Sequence, residues 1–143
     1  MNECVFCDII DGKIPAAKVY ENELVYIMVD NMPINRGHTL ILPKKHYSAF
    51  EEIDKETLFE MFSQGQNISR ALYASEIKCE GINVVLNNGS AAGQEIFHSH
   101  LHLIPRYKGD GFRIKMSEEF KKQKPQNHYD VANELIKFFK SNE

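Results

Sequence analysis

The spacing of apolar and polar positions along the chain separates strands from helices. A short apolar run, Val5–Ile10, closes on the turn pair Asp11-Gly12 and predicts one or two helical turns. Pro15 interrupts before a short strand at 18–20. Glu21, Asn22 and Glu23 read as a turn, and 24–29 (LVYIMV) as a strand that makes a hairpin with the first. The stretch 30–37 holds Pro33, two asparagines and Gly37 and is a loop. A third strand, 39–42, stops at Pro43. Asp54 can cap a helix whose apolar set, Leu58, Met61, Phe62, Ile68 and Leu72, carries it to about Ser75. A strand at 82–86, a loop of small residues at 87–93 and a strand at 97–105 follow. A linker at 107–126 then leads to a last helix at 129–140, with Val131, Leu135, Ile136, Phe138 and Phe139 on its apolar face.

The order is therefore β-β-β-α-β-β-α after a short N-terminal helix. Helices do not separate the strands one by one, so a doubly wound parallel fold is excluded. An α+β fold is expected, with a five-stranded antiparallel sheet, one long helix, and short N-terminal and C-terminal helices. The open edges of such a sheet invite pairing with a second copy.

Composition narrows the class. In 143 residues, 43% are hydrophobic and 26% charged, which suits one globular domain. The net charge of −3 argues against a protein that wraps a phosphate backbone, and so against a nucleic-acid partner. No apolar run approaches the roughly 20 residues of a membrane span, so no membrane partner is expected. The N-terminal MNECVFCDIIDGK lacks a basic segment followed by an apolar one, so no secretory signal is expected. Three cysteines do not make a disulfide framework, and a cytoplasmic protein is expected.

Six histidines are present, and three stand at 98, 100 and 102. If 97–105 is a strand throughout, His98, His100 and His102 share one face, with Cα atoms roughly 6.5–7 Å apart. Three neighbouring imidazoles cannot all be protonated cheaply, so at least one stays neutral near pH 7. A neutral imidazole serves as nucleophile, general base or metal ligand. The row therefore reads as phosphate chemistry, as a metal site, or as a solvated polar face. The preceding loop, Asn87-Asn88-Gly89-Ser90-Ala91-Ala92-Gly93-Gln94, offers backbone N–H groups with few side chains in the way and so admits a phosphate.

These residues resemble the histidine-triad (HIT) superfamily of nucleotide-binding hydrolases and transferases. The resemblance rests on His98-Ser99-His100-Leu101-His102-Leu103-Ile104, on Gly93-Gln94, on Gly37-His38, on Pro43-Lys44-Lys45-His46 and on Phe6 with Ile9-Ile10. It covers about 4–107, leaving 108–143 as an extension of a single HIT domain, and is closest to the bacterial-type branch near the adenosine phosphoramidases. It implies that His100 attacks the α-phosphate of a nucleoside phosphoramidate or related nucleotide, giving a nucleotidyl-histidine that water resolves. His102 would stabilise charge on the phosphate oxygens, and His38 would join the relay that orients the nucleophile. A hydrogen-bonded structural role is the alternative for His38. Asn87 and the N–H groups near Gly93 and Gln94 would hold the phosphate, and Asp30 the ribose hydroxyls. Phe6, Ile9 and Met28 would sandwich a purine (an AMP or GMP derivative), core packing being their alternative. Where the phosphoramidases carry a small hydroxyl residue after Gly-Gln, this chain has Glu95, a carboxylate beside the leaving group. A regulatory nucleotide-binding module and a dinucleotide polyphosphate hydrolase are the competing readings. The resemblance also implies a homodimer.

Cys4-x-x-Cys7 is half of a tetrahedral zinc site. Related uridylyltransferases and zinc-bearing members of the superfamily complete it with a histidine after the third strand and the first histidine of the triad. Those positions are His46 and His98 here. The resemblance thus implies one structural Zn2+ per chain and no metal in the chemical step.

Overall fold

The computed structural model describes residues 3–124 and 127–142. The chain divides into two compact units, residues 1–112 and 113–143.

In the first unit, α1 (Val5–Ile10) precedes β1 (Lys18–Glu21), β2 (Val25–Val29) and β3 (Thr39–Pro43). A 3₁₀ turn (Phe50–Glu52) leads into α2 (Lys55–Ala74), and β4 (Gly81–Val85) and β5 (Leu101–Arg106) complete the sheet. The five strands are antiparallel in the order β1-β2-β3-β5-β4. The α+β expectation holds, and so does the cap: the Asp54 carboxylate accepts from the Thr57 N–H at 2.8 Å.

Strand alternation sorts the core into two layers. Val25, Ile27, Ile41, Leu101 and Leu103 face α2, where Met61 and Leu72 are buried. Each such side chain contributes about 1.5–3 kcal/mol when removed from water. Tyr26, Met28, Leu40 and Leu42 face the other way and pack with Phe6 and Ile9 of α1. Register pairs Leu40 with both Met28 and His102, which brings His102 onto this second layer. Phe62, expected in the core, is instead 45% exposed. Its place under the sheet is taken by Thr57, Gly65 and other positions one helical stripe away.

The main departure concerns the histidine row. β5 begins at Leu101, so His98 and His100 lie outside the ladder and do not share a strand face with His102. The polar groups of 98–100 are drawn elsewhere. Ser99 N–H donates to the Tyr47 carbonyl at 2.6 Å, and the His98 ring reaches the Pro43 carbonyl at 2.7 Å. The segment is thereby tied to residues 43–48 rather than to a neighbouring strand.

The loop 30–38 returns sharply. Gly37 has φ +92° and sits so close to Ile77 that a Cβ would come within 2.7 Å of its side chain. Asp30 N–H bonds to the His38 carbonyl, and Asn35 donates to the Pro105 carbonyl and to Asp110. Arg106 grips Asp110 at 2.7 and 2.8 Å and reaches the Phe112 carbonyl, which folds 107–112 back onto the first unit. The expected linker is therefore partly structured.

In the second unit a short helix, α3 (Glu118–Lys121), lies inside the same expected linker, and α4 (His128–Ser141) matches the predicted last helix to within a residue at each end. Pro125 and Gln126 of the linker fall outside the described residues. None of the described helices is long and apolar enough to cross a membrane.

Candidate functional site

A cavity of about 450 Å3 opens on the α1 side of the sheet, a size suited to a nucleotide-scale ligand. Phe6, Met28, Asp30 and His38 line it, with Asn87, Gly93 and Glu95 from the loop before the histidines. His100 and His102 line it too. It thus brings together residues separated by almost a hundred positions in sequence.

Hydrogen bonding fixes the protonation pattern of its imidazoles, because a carbonyl only accepts and an amide N–H only donates. The His98 carbonyl lies 2.7 Å from Nδ1 of His100, so Nδ1 carries the proton and Nε2 keeps a lone pair. Ile34 N–H donates to Nδ1 of His38 at 3.1 Å, so the proton of that ring sits on Nε2. That Nε2–H donates to Nδ1 of His102 at 2.9 Å, leaving His102 with an Nε2–H donor. The result is one imidazole with a free lone pair, His100, beside one with a free donor, His102. Their ring centres are 4.7 Å apart.

Burial favours the neutral rings. Desolvation pushes His102 down to about 4, helped by His100 and His38, and Asp30 only partly opposes this. His100 is held below the usual imidazole value by desolvation, against the pull of the His98 carbonyl and of Asp30. His38 is lowered for the same first reason, with Asp30 opposing at 3.6 Å.

A second cluster joins α1 to the segment that carries His98 and His100. Sγ of Cys4 is 3.4 Å from Nδ1 of His98, and Sγ of Cys7 is 3.3 Å from Nδ1 of His46 and 3.5 Å from Nδ1 of His98. All four ligand atoms fall within 4.8 Å of one another. A tetrahedral zinc with Zn–S about 2.3 Å and Zn–N about 2.0–2.1 Å sets sulfur and nitrogen roughly 3.5 Å apart, so these donors fit. His98 donates Nε2–H to the Pro43 carbonyl, which leaves Nδ1 as its ligand lone pair. Burial also lowers His98 to about 4, with His46 and His100 adding to it against the Pro43 carbonyl.

Asp30, His38 and His102 also bring ligand atoms together. There, however, the Ile34 N–H occupies the other nitrogen of His38. An ion on Nε2 would need that ring to lose its last proton. The geometry suits a proton relay better than a metal site.

Several anticipated residues sit differently. Ile9 is buried in the layer beneath the cavity rather than in its wall. The Gln94 side chain is buried and spans Gly89 N–H, the Ser48 carbonyl and the Ile96 carbonyl, so it braces the loop. The N–H groups of Gly93 and Gln94 are already donated to Ser90 and Gly89 carbonyls. Asp30 lines the cavity as expected, and its Oδ1 also accepts from the Met32 N–H. Lining residues that the sequence does not single out are Asn31, Met32, Ile34, Leu40 and Ile96. Leu40 carries a signal, standing two residues beyond His38 and so on the same face of an extended segment. The other four lie in aperiodic loops and carry none.

The HIT domain family matches residues 11–109. The adenylylsulfatase HINT3 of Arabidopsis thaliana is 42% identical over 109 residues, 76% of this chain and 55% of that protein. A crystal structure of a HIT family protein from Bacillus subtilis superposes with a TM-score of 0.82 at 39% identity, covering 95% of this chain and 96% of the other. A Zn-bound histidine triad family protein from Mycobacterium smegmatis superposes with a TM-score of 0.74 at 40% identity, covering 81% and 84%. With this family match over residues 11–109 and with relatives that share its sequence and its fold, the chain belongs to the HIT domain family, a superfamily of nucleotide-binding hydrolases and transferases.

Proposed function

We propose that this protein is a nucleotidyl hydrolase that cleaves a purine nucleoside 5′-phosphoramidate, or a related nucleoside phosphate, at the α-phosphate through a covalent bond to His100. One observation carries the reading: the His98 carbonyl holds the His100 proton on Nδ1 and leaves the Nε2 lone pair at the cavity. Attack forms the Nε2–P bond as the P–N bond breaks. The electron pair goes to the leaving nitrogen, which takes a proton from solvent and departs as the amine. His100 is then a cationic nucleotidylated ring whose Nδ1–H still points at a carbonyl. The His102 Nε2–H donates to the phosphate oxygens, and His38 holds that ring in the required tautomer. Water then attacks phosphorus and releases a proton to solvent, Nε2 takes back its pair, and the nucleoside monophosphate leaves. Asp30 accepts from the ribose, and Phe6 and Met28 flank the base.

Cys4, Cys7, His46 and His98 would hold one Zn2+. Four protein ligands leave no open position, so the ion would supply a structural cross-link. It would lock the ring and carbonyl of His98, on which the His100 proton depends. Cysteine ligands kept reduced, and a nucleotide substrate, agree with a cytoplasmic location. A panel of nucleoside phosphoramidates, mixed anhydrides and dinucleoside polyphosphates, with rates compared side by side, tests the substrate class. The reading requires phosphoramidates to lead, and fails if none is cleaved.

The pH profile follows from the lowered pKa of His100. The neutral ring is the nucleophile and persists below its ordinary titration range. The acid limb of kcat/KM, which reports the free enzyme, is therefore expected below pH 6.5. A limb at or above that value contradicts the assignment.

The same reading includes a homodimer. Phe59, Phe62 and Tyr73 stand exposed on one stripe of α2, beside exposed Val84 on the edge strand β4. Sedimentation at micromolar concentration is expected to give a dimer, and Phe62→Glu with Val84→Lys to give a monomer. A monomeric native protein overturns this assignment.

A further inference from the structure

A second concavity of about 510 Å3 adjoins the catalytic cavity. Glu95 and Ile96 line both, so the two spaces share a wall, whereas Phe6, Met28 and Asp30, which flank base and ribose in the reading above, line the first alone. The further walls are Glu3, Cys4, Val5, His46, Ser48 and Phe97, so two residues of the cysteine–histidine cluster border the groove; two thiolates with one Zn2+ would leave that cluster without net charge. Val5 and Phe97 are 39% and 51% exposed, giving the groove an apolar flank open to solvent. No Lys or Arg lines either space. Among the described residues neither Glu3 nor Glu95 takes part in an ion pair.

With a nucleoside held between Phe6, Met28 and Asp30, and His100 attacking phosphorus, this groove is the space left for the leaving group. Its chemistry is selective. A polyphosphate leaving group would bring further negative charge against two carboxylates. An amine with an apolar stem and a distal ammonium would lay the stem along Val5 and Phe97 and set its charge by Glu95 and Glu3.

We propose that Glu95 is a specificity-determining residue and that the groove it shares with the catalytic cavity selects nucleoside phosphoramidates whose leaving amine carries a second, cationic group. This rests on the phosphoramidate reading above. The bonds made and broken are the same, and only the partner of the released amine is added.

The test uses two adenosine phosphoramidates of nearly equal shape, one made from hexylamine and one from 1,5-diaminopentane. For each enzyme the ratio of kcat/KM, cationic over neutral, is measured, which cancels any general effect of a substitution on turnover. Glu95→Gln is expected to lower this ratio about threefold to fivefold, the range of a solvent-exposed charge pair, and added salt to lower it in the native protein. A ratio unchanged in Glu95→Gln overturns the proposal, whatever Glu3→Gln does, while leaving the phosphoramidate reading intact. A native protein that cleaves neither compound overturns that reading instead.

Discussion

Replacing His100 with alanine is expected to reduce release of AMP from an adenosine phosphoramidate by at least about 10⁴-fold, since the covalent route loses its nucleophile. Affinity for AMP should stay within about tenfold, roughly 1.4 kcal/mol, because base, ribose and most phosphate contacts come from other side chains. The separation matters physically. Phe6 packs edge-on against the His100 ring at 5.0 Å, so a small loss of binding through a loosened pocket wall is expected. That loss falls on KM, and the loss of the attacking lone pair falls on kcat. Steady-state kinetics with calorimetric titration of AMP separates the two. Turnover that survives in His100→Ala removes the covalent mechanism.

The second large effect concerns Cys4. Purified protein is expected to carry close to one zinc per chain, and Cys4→Ser to lose it. At free zinc about a thousandfold above the dissociation constant, the ion contributes roughly 4 kcal/mol to stability. In a chain of this size its loss should lower Tm by roughly 10 °C. Activity should fall in step with stability, since His98 supplies both a ligand atom to the cluster and the carbonyl that orients His100. Metal analysis and thermal melts of the two proteins measure this. If a chelator removes activity well before it lowers Tm, the ion acts in the chemistry and the structural assignment is wrong.

Much of this architecture was legible in the residue pattern, for reasons that differ by element. The long helix announced itself through the Asp54 cap and its apolar spacing. Strands β2 and β3 did so through runs of Val, Ile, Leu and Tyr, buried on both sheet faces. The candidate site was legible because its chemistry is written in residue types that serve poorly as filler: three alternate histidines, a Cys-x-x-Cys pair and an acidic residue closing a strand. Their geometry was less so. The alternation of 98–102 suggested one strand face, yet tertiary hydrogen bonds from Ser99 and His98 to residues 43–47 take the first two histidines out of the ladder. A two-residue period describes a strand only where a neighbouring strand is there to pair with it. Gln94 misled for a similar reason. Its value lies in three backbone partners from two loops, and no local pattern encodes such a brace. Glu95 stood out in the sequence as a departure from the phosphoramidase pattern. Its position between two cavities needed the fold.

The central claim is a covalent bond between the α-phosphorus and Nε2 of His100. The direct measurement is rapid quenching of the native protein with an adenosine phosphoramidate, followed by mass analysis of the intact chain and of its peptides under conditions that preserve acid-labile P–N bonds. The account predicts a transient species heavier by one adenylyl group, localised to the peptide containing His100, and absent from His100→Ala. Turnover with no adduct at any quench time, when single-turnover rates show that it should accumulate, or an adduct on another residue, would contradict it.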